Sequence, residues 1–211
     1  MTEEPAVVAV IDDDQSIREA LQGLFETVAL KTELYGSVEE YLRASKSCQA
    51  NCIVLDVRLP GPSGLEFQAQ LANANIRTPI VFITAHADIP MSVRAMKAGA
   101  IEFLTKPFRE QELLEAVRKG IERDRSRHTE AQALTALQAR FASLTPRERE
   151  IMALLVEGRM TKQIAGQIGT SAMTVRIHRG HVMSKMGARS IADLVRMADK
   201  LDLQSSKEQS N

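Results

Sequence analysis

Three short stretches and one lysine hold side chains able to do chemistry together. Asp12 and Asp13 follow the apolar run Ala6 to Ile11, Asp56 follows Asn51 to Leu55, Thr84 follows Pro79 to Ile83, and Lys106-Pro107 lies just past Ile101 to Leu104. Carboxylates gathered at one place repel one another. A hard divalent cation with a preference for oxygen ligands, Mg2+ above all, holds such a set ionised. With the charge of an incoming phosphoryl group neutralised by that cation, a carboxylate is a competent nucleophile and its product is an acyl phosphate. A lysine offers a point charge to one phosphoryl oxygen, and a threonine hydroxyl a hydrogen bond to another. Taken singly, each residue has a plainer role. Asp12 to Asp14 fit a turn with a helix cap, Asp56 a cap for the loop before Leu59-Pro60-Gly61, Thr84 a strand end and Lys106 a solvated charge. Their recurrence at the ends of successive apolar runs is what favours a site.

The elements that must carry these residues follow from hydrophobic periodicity. Ala6 to Ile11, Asn51 to Leu55 and Pro79 to Ile83 are continuous apolar runs, as expected for strands buried on both faces. Thr32 to Tyr35 and Ile101 to Leu104 alternate with polar residues and suit sheet edges. Between the runs, apolar residues recur at three- and four-residue steps: Ile17, Leu21, Leu24, Phe25 and Val28; Val38, Tyr41 and Leu42; Leu65, Phe67 and Leu71; Val93 and Met96. Asp14, Ser37 and Ser63 stand where caps belong. Strand and helix in alternation predict a doubly wound, five-stranded parallel α/β sheet, whose ligands bind outside the carboxyl ends of the strands. All five candidate residues fall at that edge.

From Phe108 to Phe141 the chain has no proline and one glycine, Gly120, and reads as a last α/β helix running into a helical linker, of one helix or two. Thr145-Pro146 with Glu148 is a strong helix start, and Glu150 to Val156 continues it. Thr161 to Ile168, Ser171 to Met186 and Ser190 to Leu201 predict three more helices, with Gly169 and Gly187 between them. A compact four-helix domain is expected over residues 143–203, after a first domain over 1–124 and a linker over 125–142, with a disordered tail over 204–211. Charge divides along the same lines. Residues 1–124 hold 13 Lys or Arg against 19 Asp or Glu, whereas residues 143–203 hold 10 against 6, which makes the second domain the candidate partner of nucleic acid. Cys48 and Cys52 lack the spacing of a closed zinc site and read as reduced, incidental thiols. With no signal-peptide pattern and no long apolar stretch, the chain is expected in the cytoplasm, with no membrane partner.

The segments VIDDD, IVLDVRLPGPSGLE and IVFITAHADIPMSVRAMKAGAIEFLTKPF resemble the receiver domain of two-component response regulators over its whole length, and ITAHADIPMSVRAMKAGAIEFL is most similar to the FixJ/StyR-like subgroup. That fold is flavodoxin-like. The resemblance implies that Asp56 takes a phosphoryl group from a sensor histidine kinase. It implies that Asp12, Asp13 and Asp56 arrange Mg2+ with the backbone carbonyl of Arg58, that Thr84 and Lys106 sense the phosphate, and that Phe103 is the switch aromatic. Judged from its own residues, Phe103 also fits ordinary edge-strand packing. Arg58 and His86 flank the site where they could tune water access to an acyl phosphate.

Between Met173 and Arg189 there are six basic or histidine side chains and no acid, on a helix whose apolar back is Val175, Val182 and Met186. That pattern suits a helix in the major groove, or a solvated charged face. LTPRERE and KQIAGQIGTSAMTVRIHRGHVMSKMGA resemble the LuxR-type helix-turn-helix. By that resemblance Thr174 to Lys185 lies on the recognition helix, Arg176 and Ile177 face base edges, and Lys162, Arg179 and Lys185 meet phosphates, with Thr174 and His181 beside them. Gly180 departs from relatives with a longer polar side chain.

The reading is a phosphorylation-switched transcription factor, not an enzyme, that dimerises through its receiver, binds double-stranded promoter DNA and works with RNA polymerase. A phosphatase with an aspartate nucleophile needs an acid near that nucleophile, and Arg58 stands where it would be. A constitutive DNA binder with the receiver as scaffold is the other rival.

Overall fold

The computed structural model describes residues 5–44, 50–86 and 88–208, with side chains described as far as Leu201. Cys48, one half of the cysteine pair, lies outside the described residues. Two compact units are formed, residues 1–128 and 129–211.

The first unit is built on five strands: β1 (Val7–Ile11), β2 (Lys31–Tyr35), β3 (Cys52–Asp56), β4 (Ile80–Thr84) and β5 (Glu102–Thr105). All pair in parallel, in the order β2-β1-β3-β4-β5. The two alternating segments are therefore the edges, and the continuous apolar runs fill the centre. Period-two alternation sends Ala9, Ile11, Ile53, Leu55 and Phe82 to one face, and Val8, Val10, Val54, Val81 and Ile83 to the other. The first face is covered by α2 (Val38–Ala44), α3 (Gly64–Asn73) and α4 (Ile89–Lys97), through Tyr41, Phe67, Leu71 and Ala95. The second is covered by α1 (Gln15–Glu26) and the start of α5 (Glu110–Ala142), through Leu21, Phe25, Leu113 and Val117. Asp56 and Thr84 end their strands as paired members, opposite Ile83 and Thr105, rather than following them.

Caps appear where the side chains predict them. Asp14 accepts from the Ser16 N–H, and Ser63 and Glu66 close a reciprocal capping box at α3. α5 is one continuous helix of 33 residues, from Glu110 to Ala142. Near the end of its receiver portion, the buried Asp124 accepts from the Asn51 amide and pairs with Arg127, tying the helix to the start of β3. Cys52 is a free, buried thiol, pushed up to about 12 by burial and then by the charge of Asp124, so it is inert at neutral pH.

The second unit contains α6 (Pro146–Val156), α7 (Thr161–Gln167), α8 (Ala172–Met186) and α9 (Ile191–Glu208), closing on Ile151, Leu155, Ile164, Val175, Val182, Met186 and Leu194. The backbone of α9 is helical as far as Glu208. No glycine or proline follows Gly187 to stop the helix. Residues 209–211 lie outside the described residues.

Candidate functional site

At the carboxyl edge of the sheet, β1 delivers Asp12 and β3 delivers Asp56, leaving them 1% and 5% exposed. Lys106, just past β5, joins them: its Nζ lies 2.6 Å from Asp12 Oδ2 and 3.3 Å from Asp56 Oδ1. The other oxygens are held by backbone. Asp14 N–H donates to Asp12 Oδ1 at 3.0 Å, and Arg58 N–H donates to Asp56 Oδ2 at 3.0 Å. Lys106 is itself aimed by its own N–H, which donates to the Thr84 carbonyl at 2.8 Å.

Burial pushes the Asp56 carboxyl above its ordinary range; the Lys106 ammonium pulls it back, and the nearby Asp12 charge pushes it up again. One lysine against two shielded carboxylates leaves the pocket short of positive charge. A donor set made only of carboxylate and carbonyl oxygen suits Mg2+, and that shortage is the charge a divalent ion makes up. Asp13 is exposed beside this pair, with its backbone next to Asp12. The residues present therefore fit the ion.

Thr84 is fully buried, and its hydroxyl is turned to the backbone of His86, at 3.3 and 3.4 Å, rather than to Asp56. Phe103 is half-buried and packs on the core, its ring 6.0 Å from that of Phe82. Arg58 and His86 present their side chains to solvent. Sequence reading missed Gly64. A Cβ there would stand 2.4 Å from the Asp56 carbonyl oxygen and 3.1 Å from Leu55, so only glycine lets α3 approach the strand end that carries Asp56. The GPSGLE segment carried the signal, a glycine immediately after a capping serine.

In the second unit, α7 and α8 are joined by Gly169 in the left-handed region (φ 64°), and Ser171 caps α8 by accepting from the Thr174 N–H. Arg176 and Ile177 lie on the exposed face of α8 with Gly180, whose Cα faces open space. Met173, 62% exposed, shares that stripe at three- and four-residue steps and was missed by the sequence reading. Lys162 is exposed on α7. Arg179 points along a different flank, lining a shallow groove with Arg159, Met160 and Ile191. Thr174 shares a hydrogen bond with Ser171. Lys185 and His181 turn inward to α6: Lys185 Nζ is 2.6 Å from Glu148 Oε2, and His181 Nδ1 is 3.7 Å from Glu148 Oε1. Among the described residues, no helix is long and apolar enough to cross a membrane.

Two family models match the chain: the response regulator receiver domain over residues 8–118, and the bacterial regulatory proteins of the luxR family over residues 142–198. Nodulation protein W of Bradyrhizobium diazoefficiens is 50% identical over 198 residues, covering 94% of this chain and 87% of that protein. The transcriptional regulatory protein FixJ of Azorhizobium caulinodans is 40% identical over 191 residues, covering 90% of each. Among solved structures, the response regulator StyR is similar at a TM-score of 0.83 and 44% identity, covering 93% of this chain and all (100%) of that one. The chain belongs to the two-component response regulators, as a receiver domain followed by a LuxR-type DNA-binding domain. It is a transcriptional regulator rather than an enzyme, and its domain pair implies a sensor kinase and DNA as partners. Receiver domains as a family use Mg2+ for phosphorylation.

Proposed function

We propose that Asp56 is the residue phosphorylated, by a sensor histidine kinase, and that this modification controls promoter binding by the second unit. The observation that carries the reading is the sharing of one lysine by Asp56 and Asp12 at the ligand edge of the sheet. In the transfer, an Asp56 carboxylate oxygen forms a bond to phosphorus as the phosphorus–nitrogen bond to the kinase imidazole breaks, and the imidazole keeps the electron pair. Mg2+ would be held by Asp12, Asp13, Asp56 and the Arg58 carbonyl, and supplies neutralisation of the phosphoryl charge. Lys106 exchanges its carboxylate partner for a phosphoryl oxygen. The Thr84 hydroxyl is free to do the same at small cost, since its bonds to His86 are at the long end of the range. Phe103, half-buried and loosely paired with Phe82, repacks as Thr84 moves.

The repacked surface, α4 with β5 and α5, then pairs two receivers. Ile89, Val93 and Met96 on α4 are 80%, 43% and 42% exposed, an apolar face that supports such a homodimer. The dimer brings two recognition helices to half-sites on promoter DNA, in the cytoplasm, to engage RNA polymerase. Arg176 and Ile177, with Met173 beside them, read base edges, the apolar pair suiting thymine methyl groups. Lys162 and Arg179 meet phosphates. Thr174 and Lys185, bonded within the unit, and His181, which faces Glu148, set the angle of α8 and touch DNA at its margin. The domains run over residues 1–124 and 143–203, with 125–142 as the helical link.

Incubated with a small-molecule acyl-phosphate donor and Mg2+, the chain is expected to gain one hydroxylamine-labile phosphoryl group by intact mass, and Asp56→Asn none. DNA affinity and dimer fraction rise together. Equal uptake by the Asn variant removes Asp56 from the role, and uptake without a change in affinity leaves a constitutive DNA binder.

A further inference from the structure

The LuxR-type unit carries a second cluster with ligand chemistry, unconnected with the receiver site. Glu148 on α6 and His178 and His181 on α8 each offer a ligating atom, and the three atoms lie within 4.8 Å of one another. The two imidazoles are three residues apart on one helix, so they project from the same side, with ring centroids 6.2 Å apart and planes near perpendicular (87°). Glu148 is buried, His178 half-buried and His181 exposed, which encloses the cluster on one side and opens it to water on the other.

Two features go beyond proximity. The two oxygens of Glu148 have different surroundings: Oε2 accepts from the Thr145 N–H at 2.8 Å and from Lys185 Nζ at 2.6 Å, whereas Oε1 faces His181 Nδ1 at 3.7 Å, outside hydrogen-bond range. The carboxylate is therefore fixed in orientation by its outer oxygen and left with a free inner one, the arrangement that outer-shell hydrogen bonds give to metal-bound carboxylates. His178 keeps Nδ1 shielded from water with no hydrogen-bond partner, so a ring nitrogen of that residue is uncommitted.

We propose that Glu148, His178 and His181 bind one Zn2+ ion per chain, with a fourth position open to water. Two imidazoles and one carboxylate are a donor set for a borderline transition metal rather than for Mg2+ or Ca2+, and three protein ligands with one open position is a familiar zinc arrangement. The ion bridges α6 to the recognition helix. It withdraws His181 from the DNA margin and fixes the angle at which Arg176 and Ile177 are presented. The Lys185 ammonium nearby weakens the site while keeping Glu148 oriented.

The test uses the untagged full chain, reduced, chelator-washed and in excess Mg2+ to fill carboxylate-only sites, titrated with Zn2+ by calorimetry and with Co2+ by visible absorption. One equivalent is expected, with d–d bands of a four-coordinate ion and a higher unfolding midpoint for the second unit. The exposed His181→Ala should weaken binding by roughly 100-fold, the size of effect seen when a metal site loses essential support. His86→Ala and His128→Ala, outside the cluster, should bind as the parent does. Should His178→Gln or Glu148→Gln fail to fold, His181→Ala decides alone. Absence of zinc-dependent heat, or the same affinity in His181→Ala as in the parent, overturns the proposal and leaves a histidine–carboxylate contact.

Discussion

Of the carboxylates shielded from water, Asp56 in the receiver at 5% exposure and Glu148 in the DNA-binding unit at 3% have surroundings that treat them in opposite ways. Asp56 shares Lys106 with Asp12, and burial pushes its carboxyl up. Glu148 has Lys185 and the Thr145 N–H on one oxygen, and its carboxyl is held down at about 2. The difference separates a charge the fold has compensated from one it has left short. A short-changed carboxylate is where a cation and a phosphoryl group find something to gain, and a fold tolerates the cost there because function returns it. The contrast can be broken from either side.

The largest effect is expected from Lys106→Met, which removes the cation that Asp12 and Asp56 share and leaves two buried carboxylates facing each other. Breaking a buried pair by deleting one partner typically costs about 3–5 kcal/mol, and the lower end applies because Lys106 is partly solvated (17% exposed). Hydrogen exchange at β1 and β3 amides in the full chain measures it without interference from the second unit. The loss should shrink as pH falls toward the ordinary carboxylate range, roughly 4, where the charges are neutralised. A loss under about 1 kcal/mol would mean that Lys106 behaves as a surface ion pair and that the pocket is not short of charge.

Glu148 should show the reverse pH response. Its folded value of about 2 lies below its ordinary 4.5, so its stabilisation is complete above 4.5 and is lost as pH falls from there toward 2. In Glu148→Gln the lysine loses its charged partner and the α6 capping box is weakened, so the second unit is less stable at neutral pH and its stability changes less between those two values. The methyl resonances of Val182 and Met186, both fully buried against α6 and its neighbours, report unfolding of that unit alone. An unchanged acid slope in the variant would show that other groups, Asp193 with Arg196 among them, carry the acid sensitivity.

Much of this was legible in the sequence, and the boundary has a physical cause. Continuous apolar runs make central strands and alternating ones make edges, so which strands lie at the centre and which at the edges followed from pattern alone, and the switch-point rule collected Asp12, Asp56, Thr84 and Lys106. What pattern does not carry is distance across the fold. Nothing in the sequence says that Lys106 spans two carboxylates rather than waiting free, or that α3 comes so near the Asp56 carbonyl that a Cβ at Gly64 does not fit. The basic run on α8 was read as one DNA-facing surface, yet a helix of 15 residues turns through several faces. His178, His181 and Lys185, at steps of three and four, share the flank toward α6, while Met173, Arg176, Ile177 and Gly180 share the outer one. That separation was available from spacing. The partner that draws the first group inward, Glu148, lies 37 residues before Lys185 and was not.

The smallest expected effect is the sharpest test of the comparison. Asp56→Asn keeps the shape of the side chain and an oxygen for the Arg58 N–H, and removes the charge that burial and Asp12 oppose, while Lys106 retains Asp12 at 2.6 Å. The receiver should become more stable at neutral pH by about 1 kcal/mol, the scale of relief commonly found when a functional residue is replaced. Because the Asp56 carboxyl titrates above its ordinary 3.8, the parent recovers that difference as pH falls through the raised value, and the two proteins converge toward 3.8. Hydrogen exchange at β3 across that range reads both the sign and the convergence. A variant less stable than the parent would mean that the attraction of Lys106 for Asp56 at 3.3 Å outweighs the cost of burying the charge. Asp56 would then be a compensated charge, and the receiver pocket would not be short of the positive charge that a cation supplies.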